Sequence, residues 1–226
     1  MPKLFFALIV ALFGGQMTIA QKPAAPEKND PAAKKMLDKV RKQYDGYKTF
    51  EAAFALVIEV PGETKTTQKG TVGQQGDRFR LEMADQTIVS DAKTTWVYLK
   101  KNNEVQITDA ESSEGSDNGF MTPKDLLKRY EKGDFLYAIT EKTTEKGKAV
   151  AHIEFKPKDK KSEYSKLRVS IDEKGNSIVA IRAFAKDGSR YAFNIEKFTP
   201  NKAFAADYFT FDAKKYQGVK VEDLRM

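Results

Sequence analysis

The sequence predicts a mainly β fold of the α+β class, a curved antiparallel sheet of about eleven strands that forms an incomplete barrel under a helical lid. Apolar and polar residues alternate in several short runs, among them residues 78–83, 166–171 and 190–195. Turn sequences rich in glycine and asparagine separate these runs at short intervals. An open sheet of this size twists, and one apolar face must be covered. Two amphipathic segments can provide that cover.

The first amphipathic segment begins after residue 30. Asp30 and Pro31 are typical of a helix N-cap and of the first helical position, and this helix is expected to end near Gly46. A second, short helix is predicted with Thr122 as its N-cap and Pro123 at its first position. Apolar residues recur on both helices at three- and four-residue spacing. We expect the lid to turn these side chains towards the sheet: Met36, Leu37, Val40, Leu126 and Leu127.

The strands are predicted from the apolar runs between turns. An acidic, serine- and glycine-rich loop from Asp109 to Gly119 interrupts them once, before the second helix. The predicted strands are residues 50–60, 66–74, 78–83, 86–90, 94–100, 104–108, 135–142, 148–156, 164–171, 177–185 and 190–198.

The amino terminus has the pattern of a secretory signal peptide. Lys3 precedes ten apolar residues from Leu4 to Phe13, and small residues follow up to Ala20. A retained anchor is the alternative, but a membrane-spanning helix needs roughly 20 apolar residues. We expect residues 1–20 to be removed after Ala20, residues 21–29 to form a linker, and residues 30–226 to form a single domain of an exported, soluble protein.

The composition of the 226 residues narrows the possible functions. The chain has no cysteine and one histidine, His152, so thiolate metal sites, cysteine nucleophiles and most imidazole sites are excluded. Strand alternation places His152 beside Glu154 on the side away from the apolar residues, where we expect solvent. An acyl hydrolase would lack a nucleophile–base pair. We therefore predict a protein that is not an enzyme and has no metal or cofactor.

The charge of the chain does not suggest nucleic-acid binding. The formal net charge is +7, and the basic residues are spread along the whole sequence. A nucleic-acid footprint would concentrate them on one helix or face. We therefore expect no nucleic-acid partner.

Large apolar residues are abundant at alternating strand positions. An ordinary sheet core explains such a pattern, and so does an apolar space of lipid size between the sheet and its helices, because periodicity does not distinguish the two. The candidate lining residues of such a cavity are Phe54, Leu56, Ile58, Phe79, Leu81, Met83, Trp96, Tyr98, Phe184, Tyr191 and Phe193.

Several short motifs occur in an order that resembles the LolA family of periplasmic lipoprotein carriers. The most specific is the segment from Ser90 to Tyr98, Ser-Asp-Ala-Lys-Thr-Thr-Trp-Val-Tyr. The others are Gly70-Thr71-Val72, Phe79-Arg80-Leu81-Glu82, Pro123-Lys124-Asp125-Leu126-Leu127, Asp187-Gly188, Phe209-Thr210-Phe211 and Gly218-Val219-Lys220-Val221. The resemblance spans nearly all of the expected mature chain.

This resemblance implies an incomplete barrel whose apolar cavity accepts the acyl chains of lipoproteins. It implies a periplasmic monomer that carries acylated lipoproteins from the inner to the outer membrane. The implied partners are the lipoproteins, an inner-membrane lipoprotein-releasing transporter and a possible outer-membrane acceptor. The alternative on the same scaffold is an envelope sensor, a regulatory lipid-binding module.

One departure from the family pattern concerns the control of the lid. The family carries an arginine and a proline shortly before its important phenylalanine, and in carriers of this family that arginine helps to control lid closure and transfer. This chain matches the phenylalanine at Phe79 but has Gln75 and Gly76 in place of the other two residues. Gln75 and Phe79 are therefore the candidate gating residues, and Gln75 offers only neutral hydrogen bonds.

Overall fold

The computed structural model describes residues 26–110 and 123–225. It contains two α-helices, α1 (Pro31–Asp45) and α2 (Pro123–Lys132), and a short 3-10 helix at Ala213–Lys215. The strands are β1 (Thr49–Glu59), β2 (Thr66–Gln75), β3 (Arg78–Met83), β4 (Gln86–Ser90), β5 (Thr94–Leu99), β6 (Glu104–Asp109), β7 (Phe135–Glu145), β8 (Lys148–Pro157), β9 (Tyr164–Asp172), β10 (Ser177–Ala185), β11 (Arg190–Pro200) and β12 (Lys220–Asp223). The predicted signal peptide, the Thr122 cap and all but the first two residues of the acidic loop lie outside the described residues.

All the strands belong to one open sheet, which confirms the predicted mainly β class. The spatial order is β12-β6-β5-β4-β3-β2-β1-β11-β10-β9-β8-β7, and pairing of β1 with β11 joins the two halves. Every neighbouring pair is antiparallel except β12 with β6, which is parallel. The sheet has twelve strands, one more than predicted, because the four exposed residues of β12 have no apolar alternation that would reveal a strand.

Helix α1 has the predicted boundaries because its ends carry strong local signals. The Asp30 carboxylate accepts a hydrogen bond of 2.8 Å from the Ala32 amide and caps the helix. The same side chain accepts a bond of 3.2 Å from the amide of Ile139 on β7. The helix is therefore fixed at its start to the edge of the sheet.

The apolar side chains of both helices pack against one face of the sheet, here called the inner face. Under the helices, buried residues of β7 to β10 such as Phe155, Val169 and Ile181 form the larger core cluster. A second cluster lies on the same face of β1, β2, β3 and β11, because strand register places Phe193 opposite Leu56 and Ile181. Its buried members are Ala52, Phe54, Val72, Leu81, Met83 and Phe193.

The opposite face, here called the outer face, is partly covered by residues 201–219, the C-terminal strap. Tyr98 of β5 contacts Phe211 and Tyr216, with ring centroids 5.5 and 4.6 Å apart. A side chain at Gly73 of β2 would collide with the strap, because a Cβ there would lie 2.7 Å from the Tyr208 ring. The strap explains why this half of the sheet can have aromatic residues on both faces.

His152 and Glu154 lie on the outer face of β8, as the alternation indicates, but their predicted exposure to solvent is wrong. The Glu154 side chain is fully buried, and its Oε1 atom lies 2.7 Å from both Lys166 Nζ and Arg168 Nη2. Burial raises the pKa of Glu154, but hydrogen bonds from Lys166 and Arg168 outweigh it, so the pKa lies below its ordinary 4.5. Long basic side chains on β9 therefore cover a carboxylate that the pattern would leave exposed.

Loss of either Lys166 or Arg168 should destabilise the fold, because the buried charge of Glu154 would then lack one of its two cationic partners. We expect Arg168→Met to lower the free energy of unfolding by about 3 kcal/mol at neutral pH, measured by urea denaturation. Because the folded pKa of Glu154 is lowered, this stabilisation is present above pH 4.5 and is lost as the pH falls through the folded pKa.

The control for this prediction is Lys69→Met, which removes an exposed ion pair with Glu196. Exposed pairs contribute about 0–1 kcal/mol. Equal stability of the two variants would contradict the account of Glu154.

Candidate binding site on the inner face

The strand register divides the eleven candidate cavity residues between the two faces. Those on the inner face are Phe54, Leu56, Ile58, Phe79, Leu81, Met83, Tyr191 and Phe193. Trp96, Tyr98 and Phe184 lie on the outer face, away from the others. Trp96 pairs with Val89, and the Lys166 ammonium lies 5.0 Å from the centre of the Phe184 ring. These three residues therefore do not share a cavity wall with the rest.

Sequence reasoning missed the inner-face residues of β4 and β5. Ile88 pairs with Val97, and both are partly buried. Residues 96–99 are all apolar, so alternation alone does not reveal which of them face inward. The turn before β5 carries the better signal, since Asp91 accepts bonds of 2.8 Å from the amides of Lys93 and Thr94 and fixes where the strand starts.

The inner face has two zones that differ in exposure. Under the helices, on β7 to β10, the apolar side chains are almost entirely buried. Across β1, β3, β4, β5 and β11, several apolar side chains keep part of their surface accessible. This open zone consists of Leu56, Ile58, Phe79, Ile88, Val97 and Tyr191. An apolar surface that remains partly accessible is typical of a site that binds an apolar partner.

Polar contacts of α2 reach both α1 and the turn between β2 and β3. The Tyr130 hydroxyl donates a bond of 2.8 Å to Asp38 of α1, and Glu131 pairs with Arg41 of the same helix. At the other side, Lys128 Nζ lies 2.8 Å from Asp77 Oδ1 in the turn between β2 and β3. Hydrogen bonds from Lys34 and Tyr130 hold the pKa of Asp38 below its ordinary 3.8, so this carboxylate is ionised at neutral pH.

The predicted lid residues lie between the helices and the sheet. Leu37, Val40, Leu126 and Leu127 are buried, and Met36 packs against the same cluster. Because Lys128 and Asp77 are largely exposed, their pair contributes about 0–1 kcal/mol. This ion pair therefore adds little to the attachment of α2, whose buried leucines pack in the larger core cluster.

The two candidate gating residues lie on different faces. Phe79 is on the inner face, where its neighbour on β2 is Gln74. Gln75 is on the outer face, where its side-chain oxygen accepts a bond of 2.8 Å from Arg78. In this turn the Asp77 side chain contacts Lys128 of the helix α2. Sequence reasoning missed both Gln74 and Asp77.

The register also brings together a nucleophile and a base, which the sequence analysis expected to be missing. His152 Nδ1 lies 2.9 Å from Ser170 Oγ, and His152 Nε2 lies 3.1 Å from Glu145 Oε1. Ser170 is only 1% exposed, in the middle of β9. An ester cannot reach its hydroxyl unless the strands separate, so the contact is structural, and we still expect no acyl release.

The described residues also include no helix that is both long and apolar enough to cross a bilayer. Within the same residues, no group of three or more metal-ligating side chains comes together.

Residues 45–212 match the family described as "Outer membrane lipoprotein carrier protein LolA". The chain belongs to the LolA family. Membership confirms the resemblance seen in the sequence motifs. A curated relative, an uncharacterized protein of Methanocaldococcus jannaschii, is 31% identical over 147 residues, which are 64% of this chain and 41% of that protein. The chain therefore spans less than half the length of that relative.

Solved structures are similar to this chain at low sequence identity. An uncharacterized conserved protein from Thermus thermophilus has a TM-score of 0.55 at 11% identity, covering 85% of this chain and 99% of that one. The lipoprotein LppX of Mycobacterium tuberculosis has a TM-score of 0.49 at 13% identity, covering 79% and 100%. A LolA superfamily protein from Nitrosomonas europaea has a TM-score of 0.43 at 12% identity, covering 80% and 98%.

Proposed function

We propose that this protein is a periplasmic carrier that shelters the acyl chains of lipoproteins and moves them from the inner to the outer membrane. The observation that carries this proposal is the open zone of the inner face, where apolar side chains stay partly exposed near α2, whose ion pair with the turn between β2 and β3 is itself exposed. Membership of the LolA family supports the same function.

The energetic need for such a site follows from the ligand. Each acyl methylene left in water costs about 0.8 kcal/mol, so a lipoprotein anchor does not cross an aqueous compartment unaided at a useful rate. Leu56, Phe79 and Val97 offer apolar surface that replaces the bilayer around the chains. No covalent step is needed, since burial alone provides the attraction.

Release requires that the affinity stays moderate. In the structure, Leu126 and Leu127 of α2 are buried against the inner face and occupy part of it themselves. An acyl chain that needs the same surface must compete with the helix. The docked helix therefore lowers the net affinity of the protein for the acyl chain. An acceptor with a more favourable site then receives the chains.

The proposal includes the partners and the route. The expected signal peptide exports the chain, an inner-membrane lipoprotein-releasing transporter loads it, and an outer-membrane acceptor or the outer membrane itself receives the cargo. The protein acts as a monomer because one sheet and its lid form the whole site.

Depletion of the protein in its own cells tests this function. A carrier is needed for transport, so lipoproteins should accumulate in the inner-membrane fraction within a few generations, as measured by fractionation and immunoblotting. Re-expression of the wild-type chain is the control and should restore their distribution. A sensor would instead alter envelope signalling while lipoproteins still reached the outer membrane, and that result would overturn the carrier proposal.

A further inference from the structure

A small cavity lies at the carboxyl-terminal end of α1, next to the open zone. Its volume is about 140 Å³, and its lining residues are Tyr44, Asp45, Tyr47, Phe50, Gln74 and Gly76. Gln74 pairs across the strands with Phe79 on one side and with Phe50 on the other. The cavity is therefore adjacent to a residue of the proposed acyl site.

The Gln74 side chain has an unused hydrogen-bonding atom at this cavity. The residue is 5% exposed, and its Nε2 donates a bond of 3.2 Å to the carbonyl oxygen of Gly76. Its Oε1 is buried and has no hydrogen-bond partner among the described residues. Buried amide oxygens are nearly always paired, so this one is suited to a donor supplied by a ligand.

A second buried oxygen lines the same cavity. Tyr44 is 7% exposed, and its hydroxyl lies beside the backbone of Ile178 without a hydrogen bond of normal geometry. Burial raises the pKa of Tyr44, so the hydroxyl stays protonated and neutral. The two buried oxygens of the cavity, on Tyr44 and Gln74, are therefore neutral, and both are underused.

We propose that this cavity binds a neutral hydrogen-bond donor, a hydroxyl or an amide N–H, on an acylated ligand whose hydrocarbon lies along the open zone. The inference rests on the proposed function, because the acyl chain places the donor next to Gln74. The cavity would then bind the polar junction, which is the group that joins the acyl chains to the rest of the ligand. The hydrocarbon binds at Phe79, and the junction binds at Gln74.

The walls of the cavity disfavour an anion. The rings of Tyr44, Tyr47 and Phe50 present apolar surface, and Tyr44 and Phe50 pack edge to face with centroids 6.3 Å apart. Asp45 adds a carboxylate at the rim. A phosphate or a free fatty-acid carboxylate would lose its water and meet a like charge. A neutral donor avoids both costs.

Three ligands whose carbon chains have the same length test this assignment: cetyl alcohol, palmitamide and methyl palmitate. The first two donate a hydrogen bond, and methyl palmitate cannot. We expect the alcohol and the amide to bind about tenfold more tightly than the methyl ester, measured by displacement of a hydrophobic fluorescent dye from the purified chain. Gln74→Met, which keeps the side-chain length but removes the acceptor, should abolish this preference.

The matched control is Gln75→Met, one residue along the same strand but on the outer face. It should keep the tenfold preference. If the wild-type chain binds all three ligands equally well, the cavity holds only water and the inference is wrong, while the carrier proposal stands. If none of the three binds, the carrier proposal itself fails. The affinities of the wild-type chain for the three ligands test the inference even if Gln74→Met does not fold.

Discussion

Covalent linkage of α2 to the turn between β2 and β3 is expected to lower acyl-ligand binding at least tenfold. The linkage would join Lys128→Cys to Asp77→Cys through a short bis-maleimide, at the position of the native contact of 2.8 Å. Because the chain has no cysteine of its own, the reagent reacts only at the introduced pair. A helix that cannot leave keeps the inner-face surface under Leu126 and Leu127 covered, so that an acyl chain cannot occupy it. A tenfold loss of affinity corresponds to about 1.4 kcal/mol. Dye displacement by palmitamide, before and after linkage, measures the effect.

The control for the linkage is an equivalent pair on the outer face. Lys69 and Glu196 form an exposed ion pair of 3.1 Å, and Lys69→Cys with Glu196→Cys accepts the same reagent. This second linkage should leave binding unchanged, since it spans β2 and β11 without touching a helix. Equal affinities of the linked and unlinked α2 variants would show that α2 is not a lid.

A charge at Phe79 should abolish acyl binding while the sheet remains folded. Phe79 is on the inner face and only partly buried, so Phe79→Glu does not force a carboxylate into the sealed core. When an acyl chain arrives, the carboxylate loses its water against hydrocarbon, a cost of several kcal/mol that predicts a loss of more than about 100-fold in affinity. Circular dichroism verifies the fold, and dye displacement reports the affinity.

Phe184→Glu provides the matched control for Phe79→Glu. Phe184 is also a partly buried strand phenylalanine, but it lies on the outer face beside Lys166. This substitution should change affinity less than about twofold, because the new carboxylate meets a cation and not the ligand. If both variants bind equally well, or if only Phe184→Glu loses binding, the assignment of the inner face is wrong.

The fold was largely predictable because its local signals are strong. Asp30, Pro31 and Gly46 mark the ends of α1, and turns with glycine or asparagine separate many of the eleven predicted strands. Where those signals are missing, prediction fails. β12 is short and exposed, and the strap has aromatic residues without periodicity, so neither shows as an element until the chain is folded.

The candidate site was less predictable because it depends on which way each strand faces. In residues 94–99 both sets of alternating positions are largely apolar, and only the turn at Asp91 settles that Val97 faces inward and Trp96 outward. A shift of one residue also decides that Gln74, not Gln75, is next to Phe79 on the inner face.

Burial is a second property that alternation does not determine. Glu154 occupies an outer-face position in the alternating pattern of β8, where a polar residue is usually exposed. Lys166 and Arg168 on the neighbouring strand nevertheless cover it completely. These contacts are 12 and 14 residues away along the chain. Local sequence patterns contain no information about such pairings, so the buried charge emerges only from the sheet register.

We expect the inner face to hold the acyl chains of a lipoprotein. The direct measurement is mass spectrometry of the protein purified under mild conditions from the envelope of cells that make lipoproteins. We expect a one-to-one complex with an acylated lipoprotein for the wild-type chain and for Phe184→Glu, and bare protein for Phe79→Glu. An intact wild-type chain that never carries a lipoprotein, and accepts none from the loading transporter, would contradict this expectation.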